Sequence, residues 1–169
     1  MAHALQMTLE TDKPAYAEGE NITLIVKFKN VGKQPLSFCT YNLIFFPNFI
    51  ELKGSGGKTY LLKDLTKYDL SGPLRKSFVP LKPGEEYRRA FSLRRVHKPH
   101  ESFCFLEKGK SGRSESDVLW QIPAGTYEIT ASHHSEHHAY YDYEERSPVE
   151  VQDAWVGQIS SNTITVKIE

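Results

Sequence analysis

Residues 21–29 read Asn21-Ile22-Thr23-Leu24-Ile25-Val26-Lys27-Phe28-Lys29, and this stretch decides the fold. Its apolar side chains recur at every second position, which is the period of an extended strand with one buried face. They are Ile22, Leu24, Val26 and Phe28. A strand with one buried face needs a second layer of structure to cover that face. The stretch therefore predicts one sheet of a two-layered β-protein.

The same alternation recurs in other stretches of the chain. Residues 126–131 and 162–168 both alternate apolar with polar side chains. Gly and Pro clusters separate such stretches, and no stretch keeps a helical period. We therefore predict an all-β chain, a single domain over residues 1–169 that forms an immunoglobulin-like antiparallel β-sandwich of about seven strands. The predicted core contains Ile22, Leu24, Val26, Phe28, Ile129, Ile164 and Val166.

Three long stretches without an alternating pattern interrupt the predicted strands. They cover residues 63–78, 94–117 and 132–153. An immunoglobulin-like sandwich needs only about 100 residues, so a chain of 169 residues has room for three long loop insertions. Because binding residues are concentrated in loops on a rigid scaffold, we expect these insertions to carry the specificity of the protein.

Residues 87–93 break the alternating pattern at one position. Tyr87, Phe91 and Leu93 fall on one face of the predicted strand, and Arg89 falls on the same face. A charged side chain is costly inside an apolar core. Two explanations stay open: Arg89 lies at the rim of its sheet, or a β-bulge shifts the register.

The charges of the chain balance, with 21 basic and 21 acidic residues and a pI near 7.1. A neutral chain has no global field that attracts nucleic acid or an anionic membrane. One local basic cluster contains Arg88, Arg89, Arg94, Arg95 and Lys98. Because the total charge of the chain is neutral, this cluster does not change the expectation that the protein has no nucleic-acid partner.

The apolar runs of the chain are all short. None is long enough to span a bilayer, and the first residues lack a charged flank followed by an apolar run of signal-peptide length. We therefore expect a soluble protein without membrane insertion, either cytoplasmic or exported after removal of a signal. We also expect a monomer or a weakly associating protein.

Two cysteines, Cys39 and Cys104, are far apart in the sequence. A disulfide between them would close a long loop and add about 4 kcal/mol to stability in an oxidising compartment. The alternative is a pair of buried thiols that act as small hydrophobic side chains. A count of two cysteines does not decide between these hypotheses.

Four of the seven histidines lie in one short segment, namely His133, His134, His137 and His138. Neutral imidazoles are good ligands for zinc, copper or nickel. On an extended strand His134 and His138 share a face with Glu136. The order His-Glu-x-x-His of zinc proteases is missing. Two hypotheses stay open: a transition-metal site, or a solvated loop whose histidines titrate near the usual imidazole value.

The second half of the same insertion is aromatic and acidic. Tyr140, Tyr141 and Tyr143 are its tyrosines, and tyrosine offers contact area with a polar tip and little entropy to lose. Arg94 and Arg95 begin the preceding insertion and provide an opposite charge. We predict these five residues as binding residues of a recognition surface. The alternative is that the two insertions pack on each other.

Motifs of catalysis are missing from the sequence. The chain has no Gly-x-Ser-x-Gly elbow, no Cys-x-x-Cys, and no Gly-x-Gly-x-x-Gly that opens a helix. Serines, histidines and acidic residues are plentiful, so a triad assembled in space stays open. We predict a protein that is not an enzyme and needs no cofactor. The alternative is that the histidine segment binds zinc, copper or nickel.

Four pieces of the sequence mark turns and strand starts. They are residues 13–20 with the strand that follows, Leu81-Lys82-Pro83-Gly84-Glu85, Pro123-Ala124-Gly125-Thr126-Tyr127, and residues 155–157 with 160–162. They resemble small bacterial immunoglobulin-like domains, among them the intracellular proteinase inhibitor (BsuPI) type. The first piece also resembles macroglobulin-type domains. The resemblance specifies fold more than function; it implies a non-catalytic protein that blocks a protease with its loops.

The predicted function is a non-catalytic binding or interaction module whose inserted loops recognise a protein partner, with a protease as the partner that the resemblance implies. The alternative is a transition-metal-binding protein that uses residues 133–138.

Overall fold

The fold is all-β. A computed structural model describes residues 4–17, 19–41, 50–64, 72–93, 103–111, 113–114, 117–119 and 122–169. The strands within these residues are β1 Leu5–Thr11, β2 Ala15–Tyr16, β3 Ile22–Asn30, β4 Leu36–Cys39, β5 Ile50–Gly54, β6 Thr59–Asp64, β7 Phe78–Leu81, β8 Glu86–Leu93, β9 Phe103–Glu107, β10 Val118–Leu119, β11 Gly125–Ser135, β12 Ala139–Asp142, β13 Ser147–Glu150, β14 Gly157–Ser160 and β15 Ile164–Ile168. A 3₁₀ turn covers Arg75–Ser77.

Two larger sheets and two strand pairs organise these strands. The first sheet has the order β1-β3-β8 and is antiparallel throughout. The second has the order β10-β9-β6-β5-β11-β15-β2, and β14 pairs with the far end of β11. Within it β15 and β2 are parallel. The two smaller pairs are β4 with β7 and β12 with β13.

One apolar core joins the two sheets. Six of the seven predicted core residues are at most 2% exposed: Ile22, Leu24, Val26, Phe28, Ile129 and Val166. The seventh, Ile164, is partly buried and packs against the same core. The ring centroids of Phe28 in β3 and His133 in β11 are 5.3 Å apart, so the sheets are in direct contact. The predicted β-sandwich is therefore confirmed.

The prediction of about seven strands with three loop insertions was wrong in its count. The stretch 94–117 contains β9, which pairs with β6 and β10. The stretch 132–153 begins with the last four residues of β11 and contains the hairpin β12–β13. β9 has the sequence Phe-Cys-Phe-Leu-Glu and is a short apolar run, whereas β12 and β13 are only four residues long and lie partly exposed. Neither β9 nor the hairpin shows the alternation of apolar and polar side chains that reveals a strand in a sequence.

Arg89 lies at the edge of the first sheet. The register of β3 and β8 runs without interruption from Ile22–Leu93 to Lys29–Glu86, so no bulge is present. Arg89 is opposite Val26, is partly exposed, and places its guanidinium carbon 5.5 Å from the ring centroid of Phe91. The rim explanation is therefore the correct one. An inward-pointing charge on an edge strand also opposes unwanted strand pairing.

Asn30 ends β3 with a buried amide that is fully hydrogen-bonded. Its Nδ2 donates to the carbonyls of Gln34 and Leu81, both at 2.9 Å, and its Oδ1 accepts from the N–H of Gly32 at 2.9 Å. Its backbone N–H donates to the carbonyl of Glu85. The side chain is completely buried. The Asn30 side chain thus connects β3 to the end of β7. The first residue of β7, Phe78, packs beside the candidate functional site.

Asn162 connects the two sheets at their opposite border. Its Oδ1 accepts from the N–H of Leu9 at 2.8 Å, and its Nδ2 donates to the carbonyl of Leu9 at 3.0 Å. The residue lies between β14 and β15. The Asn162 amide therefore bonds to the backbone of β1 as a neighbouring strand would. It does so at the point where the partner of β11 changes from β15 to β14.

Cys39 and Cys104 are both buried, and no disulfide joins them. Burial raises the pKa of the Cys39 thiol, which keeps it protonated and unreactive. In the structure both cysteines therefore act as small hydrophobic side chains, the second of the two hypotheses.

In the parts of the chain that the structure describes, no helix combines the length and the apolar character that crossing a membrane requires.

Candidate functional site

The long strand β11 positions everything near the site. Its start is held by the Tyr127 hydroxyl, which donates to the carbonyl of Pro123 at 2.7 Å in the manner of a tyrosine corner. Residues Gly125–Ile129 pair with β15, and Ser132–Ser135 then pair with β14. Inward and outward side chains alternate along the whole strand. The histidine segment therefore begins inside a strand and not in a loop.

His133 points into the core. It is 1% exposed, and its ring lies 5.3 Å from that of Phe28, 5.4 Å from Phe38 and 6.0 Å from Trp155. Its Nε2 has no hydrogen-bond partner among the described residues, and the same holds for the buried Ser135 Oγ. Burial lowers the pKa of His133 to about 4, helped by the nearby His134 and His137. For this histidine the solvated-loop hypothesis was wrong, because strand alternation turns it inward.

The other three histidines lie on the outside of the fold or at its margin. His134 Nε2 is 2.9 Å from Glu136 Oε1, and His138 Nδ1 is 3.2 Å from the backbone carbonyl of Glu136. His137 packs edge-on against Tyr41, and burial lowers its pKa. In the described residues no group of three or more His, Cys, Asp or Glu side chains could hold a metal ion. The metal hypothesis for these four histidines stays a prediction.

The hairpin β12–β13 follows the histidines and presents the predicted tyrosines. Its strands pair from Ala139–Glu150 to Asp142–Ser147. Asp142 Oδ1 accepts from the N–H groups of Glu144 and Glu145, at 2.9 and 3.2 Å, and so shapes the turn at the tip. At the base, the N–H of Val151 donates to the carbonyl of His138.

The hairpin is also tied to the body of the sandwich. The ring of Tyr140 lies 6.3 Å from that of Phe78 in β7. Beyond β13, the Ser37 N–H donates to the carbonyl of Asp153, and the Trp155 N–H donates to the carbonyl of Ser37. These bonds attach the returning chain to β4. The tyrosines are therefore carried on a braced element, which suits a preorganised binding surface.

A groove of about 450 Å³ lies between the hairpin and the 3₁₀ turn. We call it the tyrosine groove. One wall contains Leu74, Arg75 and Lys76, and the other contains Tyr140, Tyr141, Asp142, Tyr143 and Glu144. Tyr141 and Tyr143 are 41% and 59% exposed, and their rings meet edge to face at 5.1 Å. The structure thus brings all three predicted tyrosines to one surface.

The walls of the tyrosine groove carry opposite charges. Arg75 and Lys76 are exposed on one side, with Asp142 and Glu144 on the other. Within the described residues no ion pair joins these four side chains to each other or to another residue. The charges of Arg75, Lys76 and Glu144 are therefore free to meet those of a partner, whereas one oxygen of Asp142 is held by the turn at the hairpin tip.

The basic wall was missed in the sequence. Arg94 and Arg95, predicted as binding residues, lie outside the described residues, and the basic side chains beside the tyrosines are Arg75 and Lys76. Leu74 is also part of this wall and is 36% exposed. Residues 74–76 and 140–144 are far apart in the chain, and residues 63–78 have no period that would place them together. No sequence signal could have found this wall.

A larger groove of about 890 Å³ runs between β1 and β14. Its lining contains no aromatic and no charged side chain. Aromatic residues and arginine provide most of the binding energy at protein interfaces. The tyrosine groove is therefore the better candidate site, although it is smaller.

Comparison of the chain with protein-family models and with the curated proteins finds no match.

Proposed function

We propose that this protein is a non-catalytic binding module that recognises a protein partner through the tyrosine groove. The single observation that carries the proposal is the gathering of three tyrosines and four unpaired charges on one braced surface. Tyrosine and arginine are, with tryptophan, the side chains that are enriched at interface hot spots. The other walls of the fold offer no comparable set in the described residues.

The chemistry of the groove selects the partner. An extended segment in the groove would pack an apolar or aromatic side chain against the touching rings of Tyr141 and Tyr143. An acidic side chain of that segment would meet Arg75 and Lys76, and a basic one would meet Asp142 and Glu144. Charges of this kind provide orientation and speed of association more than affinity. The rings provide the affinity, because their contact area is large and their loss of entropy is small.

A phage-displayed library of random twelve-residue peptides tests this proposal. Peptides enriched on the wild-type protein are expected to bind Tyr141→Ser/Tyr143→Ser at least tenfold more weakly, since removing two hot-spot rings costs more than about 1.4 kcal/mol. Val31→Ser/Val156→Ser is the matched control, because these two side chains are 51% and 50% exposed and lie outside the groove. Binding to the control should be unchanged.

Two outcomes would overturn the proposed function. One is a library that yields no peptide above background. The other is a set of peptides that bind the tyrosine variant and the valine variant equally well. Unfolding curves of both variants show whether each keeps the fold, and exposed substitutions of this kind are expected to change stability by less than about 0.5 kcal/mol.

A protease is the partner class that the family resemblance implies. If the partner is a protease, a stoichiometric amount of the protein inhibits it, and Tyr141→Ser/Tyr143→Ser restores the protease activity. A panel of serine and cysteine proteases that stays fully active would exclude inhibition and leave the tyrosine groove as a binding surface of another kind.

The alternative function, transition-metal binding by the histidine segment, is tested by calorimetric titration with zinc, copper and nickel. We expect no saturable heat at micromolar metal, because His133 faces the core and, in the described residues, no three ligating side chains of the segment lie together. A saturable heat that disappears in His134→Ala would revive the metal hypothesis.

A further inference from the structure

The tyrosine groove offers more hydrogen-bond donors than acceptors. Its donors are the guanidinium of Arg75, the ammonium of Lys76 and the hydroxyls of Tyr140, Tyr141 and Tyr143. Arginine and lysine side chains only donate, and each hydroxyl donates one hydrogen bond. Among the residues that the structure describes, no hydrogen bond or ion pair occupies these five side chains. The groove therefore suits a ligand that presents acceptors.

The carboxylates of the groove lie on one wall only, at Asp142 and Glu144. Asp142 Oδ1 already accepts from the N–H groups of Glu144 and Glu145. Glu144 is exposed, and its carboxylate is the group best placed to bind a cation of the ligand. An ordinary extended peptide brings one N–H donor for every carbonyl acceptor. A groove with more donors than acceptors therefore favours a peptide that has fewer N–H groups.

Exposed apolar surface accompanies these donors. The rings of Tyr141 and Tyr143 are 41% and 59% exposed and meet edge to face, with their centroids 5.1 Å apart. On the opposite wall Leu74 is 36% exposed. Grooves lined by aromatic rings are the sites at which proline-rich segments dock. The rings and the donors of this groove thus point to the same class of ligand.

A polyproline II helix fits both features of the groove. It has no internal hydrogen bonds, so its carbonyls are free to accept, and proline itself has no N–H. Three residues complete one turn, so side chains at positions i and i+3 lie on one face, about 9 Å apart. Two prolines at that spacing can pack on the rings of Tyr141 and Tyr143, and the carbonyls between them can accept from the hydroxyls. The conformation is largely formed before binding, so little entropy is lost.

We propose that the partner segment of the tyrosine groove is proline-rich, binds as a polyproline II helix, and carries a basic side chain that pairs with Glu144. This inference rests on the proposed function and names the chemistry of the partner. Arg75 and Lys76 donate to the carbonyls of the segment. The pairing with Glu144 sets the direction in which the segment lies, because charges fix the register of an interface.

The probe is the fluorescently labelled peptide Arg-Pro-Pro-Leu-Pro-Pro-Leu-Pro, and its binding is measured by anisotropy. The reversed sequence is measured as well, and the tighter of the two serves as the probe. A matched peptide with alanine in place of every proline keeps the charge and the leucines but has N–H groups and no fixed conformation. We expect it to bind at least tenfold more weakly.

Tyr141→Phe/Tyr143→Phe tests the hydroxyls apart from the rings. This variant keeps both apolar rings and removes two donors to the carbonyls of the peptide. The expected result is an affinity about tenfold lower. Tyr141→Ser/Tyr143→Ser removes the rings as well and should lower the affinity further.

Glu144→Gln tests the basic side chain of the peptide. It should weaken the binding of the arginine-containing probe about fivefold. It should leave the binding of a peptide with glutamine in place of arginine unchanged. Glu145→Gln is the matched control, because Glu145 is exposed beside Glu144 and is not part of the lining. Its affinity for the probe should equal that of the wild type.

The inference is overturned if neither direction of the peptide binds, or if the alanine peptide binds as tightly as the probe. Equal affinities of the wild type and Tyr141→Phe/Tyr143→Phe, or equal effects of Glu144→Gln and Glu145→Gln, would also overturn it. A random library that yields only proline-free peptides dependent on Tyr141 and Tyr143 would exclude the proline-rich partner and leave the proposed function intact. A library that yields no peptide at all would contradict the proposed function itself.

Discussion

Between pH 7 and pH 4 the free energy of unfolding should fall by about 3 kcal/mol through His133 alone. The folded protein holds this ring neutral, with a pKa of about 4, because it is buried among Phe28, Phe38 and Trp155. The unfolded chain has an ordinary imidazole with a pKa near 6.5. Between these two values the unfolded state binds more protons than the folded state, so acid favours unfolding.

The sign and the window follow from these two pKa values. The contribution of His133 is fully present above about pH 6.5. It is lost as the pH falls towards 4 and changes little below that value. In the described part of the chain no carboxylate offsets the effect of burial, and the neighbouring His134 and His137 lower the pKa of His133 further.

Urea unfolding at several pH values measures this effect in wild type and His133→Leu. The leucine variant should lose the pH dependence in this window and, at pH 7, should be as stable as the wild type or more so, since it removes an unpartnered buried nitrogen. His138→Leu is the matched control, because His138 is exposed on the same segment. An identical pH slope in wild type and His133→Leu would contradict the buried position of His133.

Replacement of Asn30 should be the most destabilising single change at a polar residue. Asn30→Ala leaves the carbonyls of Gln34 and Leu81 and the N–H of Gly32 without their partner. Unsatisfied buried groups cost about 1–3 kcal/mol each, so a loss of about 3 kcal/mol is expected. Asn30→Asp should cost at least as much, because it places a carboxylate oxygen against two carbonyls.

The urea midpoint of unfolding measures both Asn30 variants. Asn21→Ala is the matched control, because Asn21 is exposed at the other end of β3, and it should change stability by less than about 0.5 kcal/mol. Since Asn30 ties β3 to the end of β7, the Asn30 variants should also weaken peptide binding in the tyrosine groove beside Phe78. An Asn30→Ala protein as stable as the control would show that these bonds do not hold the fold.

The β-sandwich could be predicted from the sequence because apolar and polar side chains alternate along its main strands. From Ile22 to Phe28 the inward residues of β3 are all apolar, so the period is visible. At the far end of β11 the inward positions are Ala131, His133 and Ser135, and two polar residues there hide the same period. A histidine was therefore expected in a loop although the strand carries it into the core.

The candidate site was only half predictable, for a different reason. Tyr140, Tyr141 and Tyr143 are neighbours in the chain, and their types alone indicate a contact surface. Arg75 and Lys76 reach the same groove through long-range packing of the 3₁₀ turn against the hairpin. A contact between segments so distant in the sequence depends on the fold, and composition and periodicity do not encode it.

The most direct test of the tyrosine groove is amide chemical-shift mapping of the wild-type protein titrated with the strongest peptide from the random library. We expect the shifts to concentrate in residues 72–78 and 139–145, on the two walls of the groove. Shifts confined to other parts of the sandwich, with those two segments unmoved, would contradict it.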